Sequence, residues 1–526
     1  MGKFGRSIAV FSLFALGFVS YKAAYLMKPP GDKECEPLSP QFAVNEKDHT
    51  LELAEAPFQW AQRGGIINDA SCVDATAIHG IVAVRSESDV RAALTYAREH
   101  GLTVSAAGVK HSMGGHAFAK GGLVLDMRGL AGVAINEAAK TMTVGSGATW
   151  HDIQNALHPR YAVKAMQSTD IFTVGGSISV NAHGMDHQAG ALESSIVRMR
   201  FMKPDGSVVT LSRTENSELY DLVVGGYGLF GVILEAELAI EDNVLYQSKR
   251  QIVSYKDFPK LFAEEIEPNT DIGLMYTHLS TAPGETFLDE AIVYRYEKQV
   301  DALDPAVVPP LGEISSVKLR RLVMNLSKYG GAFQTMRWWS EKYLEPKMES
   351  CTISRAAAMG MGEACLVTRN EPMHDSVPYL MNSIDGETDI LHEYFIPRRN
   401  LVAFVDGLRA IVRENDANLL SASIRVVHKE RGFLSYAPEE AFSVVLYINQ
   451  KTDAEGHERM KTVTRQLIDL TANLEGRFFL PYQLHYTKEQ LRISYPMIDE
   501  FFAKKRQYDP DGLFTNTWYE TYNRPA

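Results

Sequence analysis

Cysteine is scarce in this chain of 526 residues: Cys35, Cys72, Cys351 and Cys365 are too few and too scattered for a disulfide framework or a zinc ribbon. Positive charge is also short, with 53 Lys and Arg against 65 Asp and Glu, a net charge of −12. That balance argues against general nucleic-acid binding, which needs a basic surface to displace counterions. There is no internal repeat and no low-complexity tract, and only one long uncharged apolar run, so fibres, disorder and multi-span membrane proteins drop out. What the chain does have is apolar material, 45% of its residues, enough for large cores. At roughly 100–200 residues per domain the length fits two to four domains of a globular enzyme or binding protein.

The one apolar run is amino-terminal. After Lys3 and Arg6, Ser7–Tyr21 carries no charge. As a helix it rises about 22 Å, short of a ~30 Å hydrocarbon core, but it reaches across if Lys22 snorkels and the stretch continues to Met27. A secretory signal has the same start, yet no small-x-small cleavage site follows, so a single uncleaved membrane anchor over residues 1–28 is expected. Lys and Arg are similar in number on its two sides, which leaves the membrane face open. Pro29, Pro30, Pro37 and Pro40 then mark a tether.

Short strands and helices alternate from Ile81 to Ile240. Ile81–Val84 reads as a strand, and Ser86–Asp89 resembles a capping box before a helix that Gly101 ends. Beyond Glu241 the segments lengthen into amphipathic helices and aromatic strands. Gly226, Gly228 and Gly231 match the spacing of a dinucleotide fingerprint, but a helix precedes them and a strand follows, the reverse of what that site needs. Two other glycine clusters carry more. Ala106–Gly122 surrounds His111 and Ser112 with small residues between two strands, and Gly175, Gly176, Ser177, Ser179, Asn181, His183 and Gly184 repeat the composition sixty residues on. Backbone N–H groups in such loops can cradle a pyrophosphate, although both could equally be tight turns. His183 and His187 offer an i, i+4 pair without a third ligand, so no metal is expected.

In several pieces and in the same order, the chain resembles the FAD-linked oxidase superfamily of vanillyl-alcohol oxidase and p-cresol methylhydroxylase (PCMH). IVAVRSESDVRAALTYAREHG is similar to its opening strand and helix, GVKHSMGGHAFAKGGLVLDM to its pyrophosphate loop, and TVGGSISVNAHG to its second cofactor loop. GGYGLFGVILEAEL and the late YDPDGLF are similar to the element beside the flavin and the returning carboxy-terminal piece. The resemblance implies an α+β fold: a PCMH-type FAD-binding domain of two α/β subdomains over residues 76–242, an α+β substrate domain with an antiparallel sheet over 243–490, and a segment, 491–526, that returns to the first domain. Residues 29–75 lead in.

By the same resemblance the cofactor is FAD, attached covalently through His111, with Lys110 standing where the family commonly has glycine. Gly108, Lys110, Ser112, Met113 and Gly114 would contact the pyrophosphate, and Thr173, Gly176, Ser179, Asn181, Gly184 and Ile233 the flavin or its ribityl chain. The implied reaction removes a hydride from carbon while a base takes the heteroatom proton. HEYFIPRRN and SIRVVHKE resemble strands of the sugar-lactone, alditol and decaprenylphosphoryl-ribose oxidase branch, which points to oxidation of CH–OH in a sugar, lactone, polyol or lipid-linked sugar. Oxygen or a quinone-like acceptor would take the electrons. Arg425 is kept from the alditol pattern, Ser423 replaces its acidic partner, and Tyr482 occupies the place of the lysine in the ribose oxidase segment. Tyr482 with His485 nearby is one candidate proton acceptor. Asp170 is the other, in an alternative reading as a cytokinin-dehydrogenase-like oxidation of an amine CH–NH.

Overall fold

The computed structural model describes residues 20–28, 56–167, 169–299, 304–312, 317–344, 353–354, 365–374, 382 and 384–523. Nearly all of the Ser7–Tyr21 run, and with it the expected anchor, lies outside them. Among the described residues no helix is long and apolar enough to cross a membrane.

The amino-terminal half folds into two main sheets and a two-stranded ribbon that pairs Ile66–Ile67 with Thr76–Ala77. Gly80–Ala83 and Val104–Ala107 both run parallel to Leu123–Asp126, and the helix Glu87–Glu99 makes the crossover that parallel strands require. Ser86 caps that helix by accepting from Asp89 N–H, while the Asp89 carboxylate accepts from Arg85 N–H, so the box is closed one residue early. Trp60–Arg63, within the segment that leads in, adds an antiparallel edge to this sheet. Cys72, a few residues on, is disulfide-bonded. The second sheet has six antiparallel strands, led by Val232–Asp242, which pairs with Ile196–Met202 on one side and Thr141–Gly145 on the other. Helix Ser217–Val223 precedes that strand, so the Gly226–Gly231 loop has the reversed order read from sequence.

The second half is a nine-stranded antiparallel sheet in which Asn418–Val427, Ala441–Lys451 and Glu387–Pro397 lie side by side toward one edge. Ala441–Lys451 is buried at every residue but its last. A strand so apolar on both faces must be covered twice. Helices Leu401–Glu414 and Ala454–Asn473 cover one face; the other is turned toward the glycine loops of the first half. The carboxy-terminal piece does return: Val104 N–H donates to Leu513 O at 2.7 Å, Thr515 N–H donates to Val104 O at 3.1 Å, and Phe514 enters the apolar core of the first sheet. The architecture is the α+β arrangement expected from sequence.

Candidate active site

Between the glycine loops and the uncovered face of the large sheet lies a cavity of about 1260 Å³. Its two ends are built differently.

One end is made of backbone. Strand Val104–Ala107 ends in a loop that crosses Thr173 so closely that a Cβ on Gly108 would meet Thr173 Oγ1 at 2.0 Å. Lys110 takes φ 57°, the left-handed conformation glycine adopts freely, so the substitution noted in the sequence preserves the loop's shape and strains the residue. Buried Asp69 holds the far side of the loop: its carboxylate accepts from Gly114 N–H (2.8 Å), Gly115 N–H (2.7 Å) and Ser71 N–H and Oγ. Burial raises its pKa, and those four bonds oppose the rise. Met113 N–H is also taken, by Pro481 O.

Gly108, Lys110, His111, Ser112 and Met113 lie on the cavity wall, as do Thr173, Gly176, Ser179 and Ile233 from the second loop and the strand behind it. Three expected cofactor contacts do not. Gly114 faces Asp69 and Gln483, Gly184 is pressed against Met166 O and Gln167, and Asn181 turns away at φ 48° to bond the Glu430 carboxyl. Gly114 N–H and the Asn181 side-chain amide are thus committed to Asp69 and Glu430, and none of the three residues lies on the cavity wall.

The wall carries seven buried polar atoms without a hydrogen-bond partner: His111 Nδ1, His116 Nδ1, Ser146 Oγ, Gln167 Nε2, Thr169 Oγ1, His183 Nδ1 and Ser248 Oγ. Orphans at this density inside one cavity mark a place for a polar ligand. Burial pushes the His111 and His116 imidazolium groups down to about 4, leaving both rings neutral near pH 7. His111 packs edge-on to Phe172 with ring centroids 5.0 Å apart. A flat, extended, phosphate-bearing group such as FAD fits this donor set.

The other end is made of side chains on the sheet. Alternation along strands sets which residues face the cavity: Asp389, Leu391 and Glu393 on one strand, Ser421, Ser423 and Arg425 on its second neighbour, Val445 and Tyr447 between them. Glu393 is the centre. Its Oε1 lies 2.5 Å from His183 Nε2 and accepts from Ser443 Oγ at 2.5 Å, and Tyr482 O–H donates to its Oε2 at 3.4 Å. Burial would raise the Glu393 pKa, but His183, Arg425 and Ser443 outweigh it and hold the carboxyl below its ordinary value. Burial, and then the Glu393 charge, push the Tyr482 phenol well above its ordinary value. Tyr482 is thus a proton donor to a carboxylate and not itself a base at neutral pH.

Arg425 and Tyr482 are on the cavity wall; His485 and Asp170 are not. The carbonyl of His485 accepts from Arg465, and its ring faces His457 at 6.5 Å on the helix side of the sheet. A tight turn in which His485 N–H donates to Gln483 O at 2.8 Å separates it from Tyr482. Asp170 is buried against His151 Nδ1 at 2.9 Å, between Thr169 and Phe172 side chains that do line the cavity. Asp69, Gln167 and Glu393 were given no role by sequence reasoning. The Glu393 signal was available: in HEYF the period of two places His392 and Glu393 on opposite faces, and only one can meet the glycine loops.

Comparison with known proteins agrees with this division. Residues 78–212 match a family model described as an FAD binding domain, and residues 333–522 match one described as D-arabinono-1,4-lactone oxidase. The chain is 33% identical over 464 residues to decaprenylphosphoryl-β-D-ribose oxidase of Mycolicibacterium smegmatis, covering 83% of this chain and 93% of that protein. It is 22% identical over 439 residues to cytokinin dehydrogenase 4 of Arabidopsis thaliana, covering 78% and 79%. With cytokinin dehydrogenase 2 of the same plant it shares 29% identity over 222 residues, 41% of this chain and 43% of that protein's length.

Proposed function

The chain belongs to the FAD-linked oxidoreductases of the vanillyl-alcohol oxidase and p-cresol methylhydroxylase type, and from that premise we propose that it oxidises a CH–OH group of a sugar, sugar lactone, polyol or lipid-linked sugar. FAD, when bound, accepts the hydride from the substrate carbon. The rest falls to the chain's own groups. The observation that carries the proposal is the ionised Glu393 on the cavity floor, beside Arg425 and under the Tyr482 hydroxyl. A hydroxyl of the substrate donates to Glu393, which takes its proton as the carbon is oxidised. His183 and Ser443 keep Glu393 charged and fixed in one rotamer, and Arg425 holds a neighbouring substrate oxygen. The polar face formed by Ser421, Ser423 and Asp389 suits a polyhydroxylated molecule. The name of the mycobacterial relative, a lipid-linked ribose oxidase, supports the same class.

We assign His111 as the point of covalent flavin attachment, because a neutral imidazole with a free Nδ1 is a competent nucleophile. The apolar run Ser7–Tyr21 is our candidate for membrane attachment. Two experiments test these assignments. Acid-precipitated protein should stay yellow, and lose its colour in His111→Ala. Anaerobic mixing with sugars, lactones, polyols and amines should bleach the flavin band with hydroxyl compounds; bleaching by amines alone would overturn the CH–OH reading.

A further inference from the structure

Twelve large hydrophobic side chains are exposed among the described residues, and seven of them fall between residues 319 and 344. This stretch is a helical hairpin, Val317–Ser327 and Gly331–Tyr343. In the second helix Phe333, Met336, Trp339 and Tyr343 recur at three- and four-residue spacing, which places them within an arc of about 120°. Trp339 is 55% exposed and Tyr343 50%. The opposite side of the same helix is committed to the protein: Trp338 is buried and its indole N–H donates to Glu290 at 2.7 Å. The apolar arc is therefore not needed to hold the helix in place; Tyr329 is exposed as well, while the exposed Leu319 and Leu344 belong to the cavity lining.

Two independent observations say what covers it. The short helix over residues 20–27 docks on the hairpin, with Asn325 Nδ2 donating to Leu26 O at 2.8 Å and Tyr25 O–H donating to Asp385 at 3.2 Å. The chain preceding that helix is the uncharged run Ser7–Tyr21, so the most apolar segment of the sequence is tied to the edge of the exposed patch. Side-chain chemistry points the same way. Phe333, Trp339, Tyr343 and Tyr329 supply exposed aromatic rings, the side chains that sit at membrane–water interfaces, and Lys318 is exposed beside them. The other basic residues of the hairpin are turned inward: Lys328, Arg337 and Lys342 bond Asp389, Leu420 O and Glu290, Arg321 is buried, and Arg320 lines the cavity.

We propose that the hairpin 317–344 seats in the lipid–water interface of a membrane, as a second attachment beside the amino-terminal run. Its inner side, including Val323, Met324 and Ser340, is a wall of the active-site cavity. If the substrate is lipid-linked, a point that rests on the proposed function, the seat lets its sugar enter while its tail stays in the bilayer. The seating itself stands whatever the substrate.

The test uses the full-length protein on phosphatidylcholine vesicles containing brominated acyl chains, which quench nearby indoles. Floated wild-type protein should show quenched tryptophan emission, and Trp339→Phe should lose most of that quench while keeping its flavin. Equal quenching in both proteins, or none in either, would overturn the proposal even if the protein floats. Substrate bleaching of the flavin in the same samples reports separately on the catalytic reading. Iodide quenching without vesicles checks the rival coverings: Trp339 open to iodide supports the bilayer. Trp339 shielded in a way that deletion of residues 1–19 relieves means that the run folds back on the patch, and shielding that grows with protein concentration means a second copy covers it. Either result refutes the lipid seat.

Discussion

The two ends of the cavity solve different problems with different parts of the chain. The cofactor end is two glycine loops, each nearly continuous in sequence, whose shape comes from backbone conformation and from Asp69 gripping Gly114 and Gly115. The substrate end gathers His183, Glu393, Arg425, Ser443 and Tyr482, spread over three hundred residues, onto one sheet face. A loop can be shaped for a ligand shared by many enzymes, because its N–H groups do not depend on side-chain identity. A charged side chain on a strand is read by one substrate and is free to change.

The comparison predicts that the two ends fail in different ways. The largest effect should come from Glu393→Gln, which keeps the shape and removes the proton acceptor. Substrate bleaching of the flavin should slow by about 10³-fold with flavin content unchanged, and a variant that bleaches at the wild-type rate would move the base elsewhere. Asp69→Ala should do the opposite. It strands the buried N–H groups of Gly114 and Gly115, lowering stability by about 2–4 kcal/mol and releasing flavin, while any flavin-loaded fraction still turns over.

At the seam between the ends, the buried Glu430 carboxyl meets Asn181 and the N–H groups of Tyr436 and Ala437. Burial, with Glu193 adding to it, pushes its pKa up to about 8. A carboxyl raised on folding binds its proton more tightly in the native state, so its contribution is whole below about 4.5 and is lost as pH rises through about 8. Melting temperature should therefore fall across that window, and Glu430→Gln should flatten the fall; an unchanged slope would show the carboxyl is not the titrating group. The smallest effect is conformational. Lys110→Gly relieves the left-handed backbone and Lys110→Val worsens it, so the two should differ in stability by about 1–2 kcal/mol.

Legibility followed the same division. The glycine loops, the returning YDPDGLF piece and the reversed Gly226–Gly231 order could be read directly, since each is local and its conformational demand is written in residue type. The substrate end was only half legible. Arg425 and Tyr482 were found, but His485 was placed beside Tyr482 because it is near in sequence, and Asp170 because it precedes the second loop. The structure turns the first onto the helix side and ties the second to His151.

The sequence by itself determined an acidic, cysteine-poor chain with two glycine loops able to cradle a phosphate, because turn chemistry is a short-range property; FAD, the oxidoreductase class and the α+β fold followed from the ordered resemblance of its motifs to a known family. Only the tertiary structure decided that Glu393 faces the cavity with its carboxyl held below its ordinary value. Its charge depends on His183, Arg425 and Ser443 arriving from three other elements to outweigh burial, and no local pattern encodes which strands will be neighbours.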